Sequence, residues 1–141
     1  MINVVTVSIA AMFAGFIVLD TLWRPRDYPA TPAWRLKGLA AFILYMAIAL
    51  FAPVAWDAVL AEHRLIDLTA QPLALQLGVG FVMFQLTMYL WHRTMHGVDF
   101  LWRHLHQTHH SAERVDVWGA FWFHPLDMLG FTLQGSLALV W

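Results

Sequence analysis

Four apolar stretches dominate this chain: Val4 to Trp23, Gly38 to Trp56, Leu68 to Trp91 and Pro125 to Trp141. A helix needs about twenty predominantly apolar residues to cross a hydrocarbon core of about 30 Å, and the first three stretches meet that length. Only 12% of the residues are charged and 60% are hydrophobic, against about 25% charged in a soluble domain. The expected fold is therefore all-α: an integral, multi-pass membrane bundle of about four transmembrane helices. The first stretch has no basic segment before it and no small-residue cleavage pattern after it, so it reads as an anchor and not as a signal peptide. Pro53 and Pro72 mark helix ends or bends, and Pro125 suits a first helical position. The fourth stretch, 17 residues from Pro125 to Trp141, would reach only about 25 Å at about 1.5 Å per residue. It is read as the start of a fourth transmembrane helix in a truncated or partial chain.

Charge narrows the function classes. Eight Lys and Arg face nine Asp and Glu, so nothing draws the chain electrostatically to nucleic acid. With no cysteine, disulfides, thiolate ligands and a cysteine nucleophile are excluded. Basic residues crowd the first connection (Arg24, Arg26, Arg35, Lys37), whereas the second holds only Arg64. By the positive-inside rule the first connection is cytoplasmic and the N-terminus outside, which puts residues 92–124, with Arg93, Arg103 and Arg114, on the cytoplasmic side. The chain is thus read as one membrane domain over 1–141: three transmembrane helices in 1–91, a histidine-rich cytoplasmic cap in 92–124 and the start of a fourth helix in 125–141.

That cap carries the chemistry. His92 and His96 form an HxxxH pattern, and His106, His109 and His110 an HxxHH, all within nineteen residues. On a helix, spacings of three and four place side chains on one face, so each cluster can converge its imidazoles on one point. Neutral imidazole suits iron, copper, nickel and zinc, and neither cluster contains a cysteine or a carboxylate. Other residues take plainer readings. His63 and His104 are read as packing or interfacial residues, and Trp91, Trp102, Trp118 and Trp122 as an aromatic belt at the headgroup level. Arg93, Arg103 and Arg114 are assigned to headgroup phosphates or carboxylates, and Asp127 to the dipole of the helix it opens. Glu113 and Asp116 either hydrogen-bond ligand imidazoles or lie in a solvated loop.

The run Tyr89-Leu90-Trp91-His92-Arg93-Thr94-Met95-His96, then Leu101-Trp102-Arg103, then His106-Gln107-Thr108-His109-His110-Ser111, then Phe123-His124-Pro125-Leu126-Asp127 resembles the fatty acid hydroxylase/sterol desaturase superfamily of membrane-bound, non-haem di-iron oxygenases. The resemblance implies that His92, His96, His106, His109 and His110 are iron ligands, with His124, His104, Gln85 and Asp127 near the site. It implies two iron ions, O2 as co-substrate, an external electron donor, an electron-transfer partner and an apolar lipid substrate that enters from the bilayer and is hydroxylated or desaturated at a C–H bond. Two departures are noted. Gln85 stands where many members have an acidic residue seven positions before the first box, which leaves a carboxylate partner for the ligand imidazoles unassigned. The family's further C-terminal histidine cluster has no counterpart in the chain. Two other readings stay open: a zinc-binding, non-redox or inactive partial membrane protein, and a bis-histidine haem protein. The oligomeric state is not legible.

Overall fold

The computed structural model describes residues 4–23, 27–63 and 67–139, which leaves Arg24, Arg26 and Arg64 of the orientation argument, and the last two residues of the fourth apolar stretch, outside the described residues. The described residues are helical, without strands: α1 (Val4–Leu22), α2 (Trp34–Phe51) running into a 3-10 turn (Ala52–Ala55), α3 (Asp57–Glu62), α4 (Leu73–Gly97), α5 (Asp99–Leu101), a π-helical turn (Trp102–His106), α6 (Gln107–His110), a 3-10 turn (Val117–Gly119) and α7 (Pro125–Leu139). Three helical stretches, Val4–Leu22, Trp34–Ala55 and Leu73–Gly97, are long and apolar enough to cross a membrane. Helices are the economical solution there because their backbone groups are satisfied within the segment. The chain folds as an all-α helical bundle of membrane type.

Local chemistry explains the boundaries. Pro72, extended at φ −55° and ψ 140°, sits at the N-cap of α4, so this helix begins five residues after Leu68. Pro53 falls in the 3-10 turn that ends α2, where its missing N–H interrupts the helical ladder. Helix α4 does not stop at Trp91 but continues through His92 and His96 to Gly97, since no residue in that stretch opposes helix. At about 1.5 Å per residue its 25 residues extend over about 37 Å, more than the roughly 30 Å hydrocarbon core. The first histidine box therefore lies on the last turns of this long apolar helix and not in a segment that follows it.

Two elements hold the cap in place. Helix α7 packs most extensively on α4 and also on α2. The approach to α4 is close enough that a Cβ on Gly130 would run into the indole ring of Trp91, which is the use that packed membrane helices make of small residues. On the other side, the turn at Val117–Gly119 lies against α1 and α2. Phe13 of α1 stacks on Phe42 of α2 at 4.1 Å, and Phe121 meets both rings edge-on at 5.5 and 5.1 Å. Gly38 lets the backbone of Trp118 reach α2, since a Cβ there would collide with the Trp118 carbonyl.

The loop after the second box is locked by a carboxylate. Asp116, with its side chain fully buried, accepts hydrogen bonds from the Trp34 indole at 2.8 Å, from Arg114 Nε at 3.0 Å and from the Gly119 amide at 3.1 Å. Tyr28 donates to the Val115 carbonyl at 2.6 Å and Arg114 to that of Pro29 at 3.2 Å. Asp116 thus neither contacts the imidazoles nor faces solvent. Its three donors occupy it, because a buried carboxylate is tolerated only when its lone pairs are used. Trp118 and Trp122 are half-buried in this same junction, with Trp122 5.6 Å from Trp34, so they serve packing and not only a headgroup belt.

Candidate metal centre

The fully buried large side chains among the described residues are Met95, Met128, His106 and Asp127. All four lie where the end of α4, the π turn and the start of α7 meet. The best-packed point of this apolar chain is therefore its most polar one.

The first box comes from the last turns of α4, where the i, i+4 spacing brings His92 Nε2 and His96 Nε2 to 3.1 Å. The second box comes from the π turn and α6. Within the π turn the Gln107 N–H reaches back five residues to the Trp102 carbonyl, one residue more than an α-turn, and such insertions recur at functional sites. The wider turn directs His106 into the junction and leaves His104 exposed on the other face. One turn on, His110 lies on the same side as His106, their rings 5.0 Å apart.

As a result, one donor nitrogen from each of His92, His96, His106 and His110 lies within 4.8 Å of the other three. Imidazole ligands about 2.1 Å from a zinc-like ion stand about 3.4 Å apart in a tetrahedral shell and at most about 4.2 Å apart. The group is thus one small contraction from enclosing an ion. His106 forms the floor, wholly buried, while His92, His96 and His110 are exposed.

His106 also carries the sharpest sign of a missing partner. Its Nδ1 is 2.7 Å from Asp127 Oδ2, both side chains being 0% exposed, and its Nε2 is buried with no hydrogen-bond partner among the described residues. A buried polar nitrogen without a partner is uncommon and calls for an explanation. A metal ion bound by Nε2 supplies one, so the donor set fits the group that the histidine pattern suggests.

The remaining candidates sort by their contacts. His109 is not one of the four converging residues. Its ring is 5.2 Å from that of His110 and lies flat on Phe123 at 4.0 Å, and its Nδ1 is 3.3 Å from the Trp122 carbonyl. This leaves Nε2 as its open nitrogen. Burial, and then the neighbouring imidazoles, pull its pKa below the usual histidine value against the opposing pull of the Trp122 carbonyl. Partial burial, followed by His106 and His96, does the same for His110. Both rings are thereby biased to the neutral form that ligates.

His104 turns away from the cluster. Its Nδ1 is 2.9 Å from the Phe100 carbonyl and its ring stacks on Phe100. His124 caps α7: its carbonyl takes the amides of Asp127 and Met128, and its Nδ1 accepts from the Leu126 amide at 3.2 Å. Gln85 is exposed on α4, about two turns before His92 at 3.6 residues per turn. His63 hydrogen-bonds the Val59 carbonyl within its own turn.

Asp127, which the resemblance sets near the site and the helix start assigns to the dipole, is brought by the fold to His106. Trp102 reads as a belt residue, yet its ring is 5.0 Å from that of His96 and 5.1 Å from that of His110. Its place four residues before His106, at one helical turn, is the hint that was present.

Residues 77–141 match the model of the family described as fatty acid hydroxylase. Over 140 residues, 95% of its length, the chain is 29% identical to the ornithine lipid hydroxylase OlsE of Rhizobium tropici, of which that alignment covers 42%. It is 32% identical over 69 residues to sphinganine C4-monooxygenase 1 of Arabidopsis thaliana, covering 48% of this chain and 26% of that protein. A Delta(7)-sterol-C5(6)-desaturase-type protein of the same plant is 34% identical over 68 residues, 46% of this chain and 24% of the relative. The chain spans less than half the length of these curated relatives. No solved structure matches it. Because the stretch matched by the family model is the one that holds both histidine boxes and α7, the likeness to the fatty acid hydroxylase family rests on the site and not on apolar composition alone.

Proposed function

We propose that this protein serves an O2-dependent lipid hydroxylase or desaturase of the non-haem di-iron type, with His92, His96, His106, His109 and His110 as iron ligands. The observation that carries the reading is the convergence of four imidazole nitrogens, from two helices and a π turn, within 4.8 Å of one another. The names of the relatives, which describe hydroxylation of an ornithine lipid, oxygenation of sphinganine and desaturation of a sterol, support a lipid as substrate.

Bound iron would supply the oxidising chemistry that an unactivated C–H bond requires. The chain's own residues contribute the rest. His92 and His96 present two donors on the end of a rigid membrane helix, which fixes their spacing independently of any loop. His106 holds the buried floor. His109 and His110 enter from the following turn, with His109 oriented by the Trp122 carbonyl and by Phe123. Trp102 packs beside His96 and His110. A helix longer than a hydrocarbon core requires supports a site at the membrane surface, where an acyl chain in the bilayer and a soluble or membrane-bound electron donor can both reach it. The basic residues of the first connection support a cytoplasmic site and an N-terminus on the outside.

The test is reconstitution. Protein purified in lipid nanodiscs and loaded with iron under anaerobic conditions is expected to retain iron after desalting. On addition of a reductant, an electron carrier and O2, it should convert a lipid to a product 16 mass units heavier or 2 lighter. A wild-type protein that retains neither iron nor zinc would overturn the reading.

A further inference from the structure

We propose that Asp127 is a positioning residue for the metal site: it holds His106 as the Nδ1–H tautomer and so aims Nε2 at the metal. This rests on the metal-binding reading above and assigns a role that the histidine boxes do not contain. A neutral imidazole has one donor nitrogen and one acceptor nitrogen. A carboxylate only accepts, so at 2.7 Å from Asp127 Oδ2 the Nδ1 of His106 carries the hydrogen. The lone pair is then on Nε2, which is the atom left buried without a partner. Ligand histidines characteristically hand their second nitrogen to a carboxylate or a carbonyl, which fixes ring orientation and raises ligand basicity. His109 shows the same division of labour, with its Nδ1 on the Trp122 carbonyl.

The plainer role for Asp127, as a residue that satisfies the helix start, is already filled. His124 receives the first amides of α7 through its carbonyl and its Nδ1. Asp127 makes no bond to those amides: Oδ2 goes to His106, and Oδ1 is buried without a partner among the described residues. A carboxylate held fully inside an apolar junction is costly to desolvate, and the single contact that compensates it is this imidazole. The 21 residues between the two positions also make the pairing a product of the fold. It pins α7 to the π turn that carries the floor of the site.

The experiment compares the wild-type protein with Asp127→Ala and Asp127→Asn, in lipid nanodiscs and free of metal, by ¹⁵N NMR of labelled histidine, with His106→Gln identifying the resonance. His106 is expected as Nδ1–H in the wild type and in Asp127→Asn, whose amide oxygen still accepts, and as a mixture rich in Nε2–H in Asp127→Ala. Zn(II) affinity, measured by chelator competition, should fall about 10- to 100-fold in Asp127→Ala and less in Asp127→Asn. A folded Asp127→Ala that keeps both the tautomer and the wild-type Zn(II) affinity would sink the Asp127 role alone. A wild type that binds no Zn(II) would remove the metal reading and this proposal with it. Should Asp127→Ala fail to fold, the wild-type spectrum decides. An Nε2–H tautomer or an imidazolium at His106 overturns the proposal, and an Nδ1–H tautomer whose Nε2 resonance shifts on Zn(II) addition upholds it.

Discussion

The indole of Trp34 and the carboxylate of Asp116, 82 positions apart, are joined by a 2.8 Å hydrogen bond inside the protein. This bond ties the entry of α2 to the loop that leaves the second histidine box, and Arg114 and the Gly119 amide share the same carboxylate. Truncation by Asp116→Ala strands three donors, and a buried unsatisfied polar group costs about 1–3 kcal/mol. The variant should therefore unfold at lower temperature in detergent. Asp116→Asn, which retains one oxygen, should lose less. Amide exchange should quicken across residues 111–121 and leave α4 unchanged; equal quickening in α4 would mean that the loop is not a separate lock.

How much of this was legible beforehand depended on how local each feature is. The membrane helices follow from runs of apolar residues, and the boxes from spacings of three and four, so both are readable from neighbours along the chain. The π turn at Trp102–His106 leaves no such trace, because the difference between four and five residues per hydrogen bond is settled by packing. The resemblance sets Asp127 near the site without a partner, and the loop leaves Asp116 with two readings; the fold delivers His106 to the first and Trp34 to the second. For the same reason Trp118 and Trp122 read as interfacial: their apolar rings suit a headgroup belt and a protein junction equally well, and only tertiary contact separates the two.

Helix α7 can approach α4 closely because Gly130 leaves room for the indole of Trp91. Gly130→Ala pushes a methyl into that ring, and overpacking of this kind costs about 1–3 kcal/mol. A smaller ring should relieve it, so Trp91→Phe is expected to cost less in the Gly130→Ala background than alone, with a coupling of about 0.5–3 kcal/mol. A double-mutant cycle on thermal stability measures this. Strict additivity would show that the two residues do not press on each other.

His124 accepts the Leu126 amide at the start of α7, the service that Asn or Ser usually gives at an N-cap. His124→Ala should cost about 0.5–2 kcal/mol of stability, most of which His124→Asn restores. Zn(II) stoichiometry should stay at the wild-type value in both. A loss of metal in the stable His124→Asn variant would make His124 a ligand instead of a cap.

The histidines themselves give the ordering that checks the site. His96 is one of four donors that already converge, so His96→Ala opens the shell and should lower Zn(II) affinity most clearly, by an order of magnitude or more, since coordination is then incomplete. His109 stands at the edge, oriented by Trp122 but outside the converging four. Its replacement by Ala should weaken binding less than that of His96 while still lowering iron retention. His104 is exposed, with its ring on Phe100 and its Nδ1 on the Phe100 carbonyl, so His104→Ala should bind metal as the wild type does. Chelator competition on the three purified variants reads the order directly. An affinity loss in His104→Ala equal to that in His96→Ala would show that the two faces of the π turn are not the ones described, and that His106 is aimed elsewhere.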